Sequence, residues 1–207
     1  YKLVNFASLD PSLQSRGIKG ASNASKLDRE IWNEFYNDWN ALAFESEVLL
    51  AKFSHTSVEK LNQIDENDLP KEGKTRAQVV MARVNQAFFR KSILASYNNT
   101  CCITGLQQPD LLIASHIIPW SVDKINRLNP RNGIALNPLH DKAFELGYLT
   151  ITPEFYVIVS PTLLVKTHNN NGDLFDKYQN QKMALPNRFL PYRDFLAYHN
   201  NEIFKRN

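Results

Sequence analysis

Leu27, Ile31, Phe35, Trp39 and Leu42 recur at intervals of three and four residues, the period at which side chains return to one face of an α-helix. The spacing predicts an amphipathic helix over roughly 26–53, continuous or broken once. "SKLD" marks its start: the Ser25 hydroxyl can accept a hydrogen bond from the backbone near Asp28, and a carboxylate in the first turn suits the helix dipole. Residues 1–23 lack such a period and carry Asp10-Pro11, Gly17 and Gly20, so they read as loop with short irregular structure. In "SHTSVEKLNQIDENDLPKEGK" a short helix gives way to a polar connector holding Pro70 and Gly73. The helical period returns from about Thr75 to Tyr97, with Val80, Val84, Phe88 and Leu94 placed to line the buried face.

After Asn98-Asn99 the period changes. "CCITG" and the turn "LQQPD" lead into "LLIASHI", an apolar run with the length of a buried strand. A loop over 119–133 carries Pro119, Pro130 and Gly133, and "IALN" is short and apolar enough to pair with that strand. Asn137-Pro138 reads as an N-cap followed by proline at the first helical position. "PLHDKAFEL" is then a short helix stopped by Gly147. "YLTITPEFYVIVS" has two β-rich segments around Thr152-Pro153-Glu154, a hairpin pattern. A polar loop, "THNNNGD", precedes a final helix near 191–205. The expected fold class is α+β, in three parts: a mainly helical region over 1–97, a core of short strands, loop and helix over 98–160, and a C-terminal loop and helix over 161–207 packing on the core.

A hydrophobic fraction of 43%, with 12 Phe, 8 Tyr and 3 Trp, supplies a packed core and excludes a disordered chain. No apolar run approaches the roughly 20 residues that span a bilayer, and the first residues lack the charged and apolar regions of a signal peptide. The two cysteines, Cys101 and Cys102, are adjacent. Neighbours cannot easily close a structural disulfide, and a structural zinc site needs about four ligands at CxxC-like spacings. The expectation is a soluble, reduced, cytoplasmic protein without structural zinc.

A net charge of +3 does not by itself indicate a nucleic-acid partner, but its distribution changes the picture. Arg76, Arg83 and Arg90 are spaced by sevens and stay within about 20° per heptad on one helix face. Lys91 extends the group, and the only acid between Lys71 and Lys91 is Glu72. Such a stripe is either a solvated helix face or a phosphate-contacting surface, which needs cations on a rigid scaffold rather than a high overall charge.

The densest pattern is "SHIIPW…NGIALNPLHDKAFELG", between Ser115 and Gly147. It resembles the His-Asn-His (HNH, ββα-metal) endonuclease motif. More narrowly it is similar to the branch found in bacterial restriction-type enzymes, whose core reads like C-x-x-T-G…SHI-x-PW…NG-x-x-L…HD-x-AF-x-x-G. The resemblance covers about 50 residues, Cys101 to Thr150, and "NFASLDPSLQSRGIKGASNASKLDREIW" and "FFRKSIL" also look like flanking regions of such enzymes. It implies a ββα-metal core acting on double-stranded DNA, with a divalent ion, Mg²⁺ or alternatively Mn²⁺ or Ni²⁺, and a homodimer if both strands are cut.

Phosphodiester hydrolysis needs a base for water, charge relief on the phosphate and stabilisation of the leaving oxygen. A neutral imidazole can take a proton from water at cellular pH, and the resemblance gives that role to His116. Asn132 matches the motif's asparagine and would bridge loop backbone and imidazole, although Asn-Gly is also an ordinary turn pair. His140 and Asp141 compete for the metal. The commoner motif places its last ligand about nine residues after the asparagine, which lands on Asp141, and a carboxylate suits Mg²⁺ while an imidazole suits Mn²⁺, Ni²⁺ or Zn²⁺. Adjacent helical residues point about 100° apart, so one is expected to be a ligand and the other a supporting or phosphate contact. Arg76, Arg83, Arg90 and Lys91 would hold phosphates.

The pattern departs from many enzymes of the class at Ser115, where they carry an acid as a second metal ligand. Asp123 and Glu145 are alternative donors. Cys101 reads as a small buried hydrophobe and Trp120 as core or, second, as a brace for the loop, and His55, His168 and His199 receive no role. A decayed, DNA-binding scaffold is the alternative to an active nuclease, and a homing or repair nickase is the alternative to a restriction role.

Overall fold

The computed structural model describes residues 2–15, 17–36, 38–70, 73–163 and 174–206. The chain divides into two compact units, Tyr1–Val58 and Glu59–Asn207. The first is helical: α1 (Lys2–Ala7), α2 (Pro11–Ser15), α3 (Lys26–Phe35) and α4 (Trp39–Phe53). Part of the segment expected to be loop thus forms α1 and α2. The predicted helix over 26–53 is broken once, where Asp38 caps α4 by accepting from the Ala41 N–H. Ser25 forms the expected capping box: its hydroxyl accepts from Asp28 N–H at 3.1 Å, and its own N–H reaches the Asp28 carboxylate at 2.9 Å. Asn5 donates to the same carboxylate at 3.0 Å, which satisfies a charge that is buried. The predicted apolar stripe is not the buried face here, because Leu27 and Ile31 are exposed while Asp28, Ala43, Glu47 and Ala51 are buried.

A short helix, α5 (Val58–Leu61), precedes α6 (Lys74–Ser96), the longest helix described. Val80, Val84 and Leu94 are buried on α6 as expected, but the phenylalanine they share that face with is Phe89 rather than Phe88, together with Ile93. Lys71 and Glu72, part of the predicted basic stripe, lie outside the described residues, as do "THNNNGD" and His168.

Next come β1 (Ile113–His116), a 3₁₀ turn at Pro130–Asn132, β2 (Gly133–Leu136) and α7 (Pro138–Glu145). β1 and β2 are antiparallel, with Ile113 opposite Leu136 and His116 opposite Gly133. Every residue of β2 is buried, which explains its unbroken apolar text. Gly133 is set by close packing: a Cβ there would lie 2.6 Å from the Phe89 ring and 2.5 Å from Ile93 of α6. Asn137 caps α7, accepting from the His140 N–H at 3.0 Å, with Pro138 in the first turn. The expected hairpin follows as β3 (Leu149–Ile151) paired antiparallel with β4 (Val157–Val159).

The predicted last helix is shorter than 191–205: α8 (Arg193–Tyr198) runs into a π-helical turn over His199–Ile203. That turn carries a buried histidine to which the sequence assigned nothing. His199 is 1% exposed, stacks on Phe144 of α7 at 3.7 Å, donates from Nε2 to the Phe144 carbonyl and accepts at Nδ1 from the Thr150 hydroxyl. Gly147 ends α7 with φ of 76°, and a Cβ there would sit 2.1 Å from the Ile203 carbonyl oxygen. The Lys205 N–H closes the contact on the Gly147 carbonyl at 2.9 Å.

Burial lowers the pKa of His199 from 6.5 to about 4. Between those values the unfolded chain binds a proton that the folded chain refuses, so stability falls as pH drops from 6.5 to 4, by up to about 3 kcal/mol at the low end. Urea titrations of wild type and His199→Gln across this window should show a shallower pH slope in the variant. Parallel slopes would remove His199 from the account.

Candidate active site

β1 ends on His116, and three contacts fix its imidazole. Phe89 of α6 stacks on the ring at 4.1 Å with planes 9° apart, Trp120 meets it edge-on at 5.5 Å, and Nε2 lies 2.8 Å from the Arg127 backbone carbonyl. A carbonyl can only accept, so in the neutral ring Nε2 carries the hydrogen and Nδ1 keeps the lone pair. Burial lowers the His116 pKa, opposed by the Arg127 carbonyl and by the Asp141 carboxylate.

The loop that supplies this carbonyl is held by amides. Asn132, fully buried, accepts from the Ile118 N–H at 2.8 Å and donates to the carbonyls of Ile118 at 3.1 Å and Asn126 at 3.3 Å. It therefore ties backbone to backbone, and the expected bridge to the imidazole is made instead by Arg127. Asp123 accepts from the N–H groups of Ile125 and Asn126, both at 3.0 Å, and from the Asn126 side chain at 2.7 Å. Burial pushes its carboxyl up, but these bonds outweigh it and leave the pKa lowered. Asp123, considered as a metal ligand, is committed to the turn.

A cleft of about 260 Å³ opens beside His116, and Ser115, Trp120, Asp141 and Glu145 share its lining. The structure thus brings Asp141 to the histidine and turns His140 away. His140 packs against Phe175 and Tyr178 at 5.1 and 5.2 Å, and its Nδ1 lies 3.0 Å from Asn137 Oδ1. Burial lowers its pKa, opposed by the Leu174 backbone and assisted by Lys177. The cause is the helical turn angle: on α7 only one of two successive side chains can face β1.

Burial raises the Asp141 pKa, and the neighbouring Ser115 hydroxyl opposes the rise. Ser115, at the position where many enzymes of the class carry an acid, shares the cleft lining with Asp141. Glu145 lines the cleft but pairs with Lys142 at 2.8 Å. Among the described residues no three His, Cys, Asp or Glu side chains gather around one point. A half-buried carboxylate with a second one nearby fits a hydrated divalent cation such as Mg²⁺, which keeps several waters and needs one or two carboxylates.

The basic residues of α6 divide. Arg90 donates to the Leu112 carbonyl and, at 2.9 Å, to that of Pro109, anchoring the segment that leads into β1. Arg76 reaches the Pro70 carbonyl at 3.3 Å and Glu66 at 3.9 Å, and Lys91 donates to Asn62 at 2.9 Å. Arg83 has no hydrogen bond or ion pair among the described residues. Cys101 and Cys102 are buried. Phe89 and Arg127 were missed in the sequence: "FF" gave no sign of which ring faces inward, and Arg127 acts through its backbone oxygen, which no residue type signals.

Phe89→Ala should let water onto the His116 ring and raise its pKa toward 6.5, read by NMR titration of the histidine signals. An unchanged titration would show that the stack does not set the ring's environment.

Residues 101–152 match the family model described as HNH endonuclease. No curated protein matches the chain. The matched stretch contains β1, the amide-locked loop, β2, α7 and β3, so the segment that carries His116, Asn132 and Asp141 is the part of the chain that is similar to HNH endonucleases.

Proposed function

We propose that this chain is a metal-dependent DNA endonuclease in which His116 is the general base. The observation that carries this reading is the Nε2 contact with the Arg127 carbonyl, which leaves the Nδ1 lone pair as the ring's proton acceptor. His116 takes a proton from water, the water oxygen bonds to phosphorus, and the bond to the 3′-oxygen breaks; that oxygen takes a proton from solvent, leaving 5′-phosphate and 3′-hydroxyl ends. Asn132 and the loop keep the imidazole in the correct tautomer. Asp141, beside Ser115 in the cleft, would hold the cation, with Glu145 close by. A bound divalent ion supplies positive charge to the phosphate and the departing oxygen. Arg83 would face phosphates of the flanking duplex, a contact that positions without reading bases, whereas Arg76, Arg90 and Lys91, expected beside it, are held by protein acceptors. Restriction of foreign or modified DNA is the role we favour, on the similarity of the motif to the restriction-type branch, and cutting both strands would call for a dimer. Ser115 favours a second reading, a DNA-binding scaffold without catalysis, because the position lacks an acidic donor.

Plasmid cleavage separates the two. Wild type with Mg²⁺ or Mn²⁺ should nick or linearise supercoiled DNA, and His116→Ala should lose about a hundredfold or more in rate at equal DNA affinity. Because burial lowers the His116 pKa, activity should persist below pH 6.5 and fall only as pH drops through the lowered value. Asp141→Asn should raise the metal concentration needed for half-maximal rate. Wild type that binds DNA but cuts neither plain nor modified plasmid with any divalent ion would establish the binding-only reading.

A further inference from the structure

We propose that the Arg127 side chain, held against Trp120 at the border of the cleft, is a phosphate-binding group that grips the backbone of the strand whose bond is cut. The proposal rests on the nuclease reading and adds to it a substrate contact.

Most of the fixed cations around the site are occupied. Arg76 and Arg90 are held by protein acceptors, Arg131 donates to the Leu190 carbonyl at 3.2 Å and lies over Tyr192, and Lys142 is paired with Glu145. Arg127 differs. Its Nε–H donates to the Trp120 carbonyl at 2.8 Å and its guanidinium lies over the Trp120 indole at 5.1 Å. Among the described residues no carboxylate pairs with it and neither terminal nitrogen has an acceptor. The anchor is thus at one edge of the plane, and the two terminal nitrogens keep their N–H groups for another acceptor.

The chemistry of that acceptor follows from the surroundings. Trp120 lines the cleft and touches His116, and the Arg127 carbonyl holds the same imidazole. The cleft presents two carboxylates, Asp141 and Glu145, which repel a polyanion. A planar guanidinium already fixed by a hydrogen bond and an aromatic face binds a phosphodiester through parallel N–H bonds and loses little further freedom in doing so. One residue then joins substrate and base: its side chain takes the phosphate while its carbonyl sets the ring that attacks beside it. Substitution of the side chain leaves the carbonyl in place.

The test is a methylphosphonate walk on a duplex carrying a cut site mapped from plasmid products, with affinity measured in a His116→Ala background with and without Arg127→Ala. The neutral linkage should weaken binding about tenfold at one phosphate near the cut when Arg127 is present. The same linkage should cost nothing when it is absent, while interference at other phosphates persists. The salt dependence of binding should also fall by about one phosphate equivalent. If Arg127→Ala weakens binding equally at every linkage, or leaves the pattern unchanged, the side chain only braces the loop and the proposal is wrong, although wild-type cleavage would still support the nuclease reading. If wild type neither binds nor cuts DNA, both fall together.

Discussion

The site depends on one hydrogen bond, from Nε2 of His116 to the carbonyl of Arg127. A backbone oxygen cannot titrate or change its role as an acceptor, so it fixes the imidazole more firmly than a side-chain partner would. Its position depends in turn on the loop between β1 and β2, which Asp123, Asn126, Asn129 and Asn132 fold by short-range amide and carboxylate bonds. The asparagines bond within the loop and to its backbone, and the loop presents one carbonyl to one ring. Phe89 completes the mount from the opposite side of the chain, and Gly133, across the ladder from His116, leaves room for it.

Local rules were legible in the sequence because their causes are local. The Ser25 capping box, the Asn137-Pro138 start of α7, the strand ending at His116 and the hairpin after Gly147 each require only a few neighbouring residues to agree. What could not be read involved distance or rotation. Whether His140 or Asp141 faces the cleft depends on how α7 is turned about its axis against β1, and a shared position in the motif does not reveal that turn. His199 looked peripheral among polar residues, yet the π-helical turn carries it onto Phe144. The sequence showed a spacing of cations on α6, but spacing does not show that Arg90 would turn back onto the protein's own carbonyls.

The distribution of charge is therefore more informative than its amount. The basic residues of α6 are divided between those held by the protein's own acceptors, Arg90 on the segment before β1 among them, and Arg83, which has none among the described residues. Positive charge kept inside the scaffold gives rigidity, and the same charge left facing outward gives attraction. Counting lysines and arginines along the helix merges the two.

The contact at Gly147 bears on portability. The residues recognised as the family segment stop at 152, yet α7 is closed by the Ile203 and Lys205 backbone and lies under His199, while the ring of His116 rests on Phe89. The motif is thus the visible middle of a larger mechanical unit. Grafted alone onto another protein, it would arrive with its residues in order and its bearings left behind.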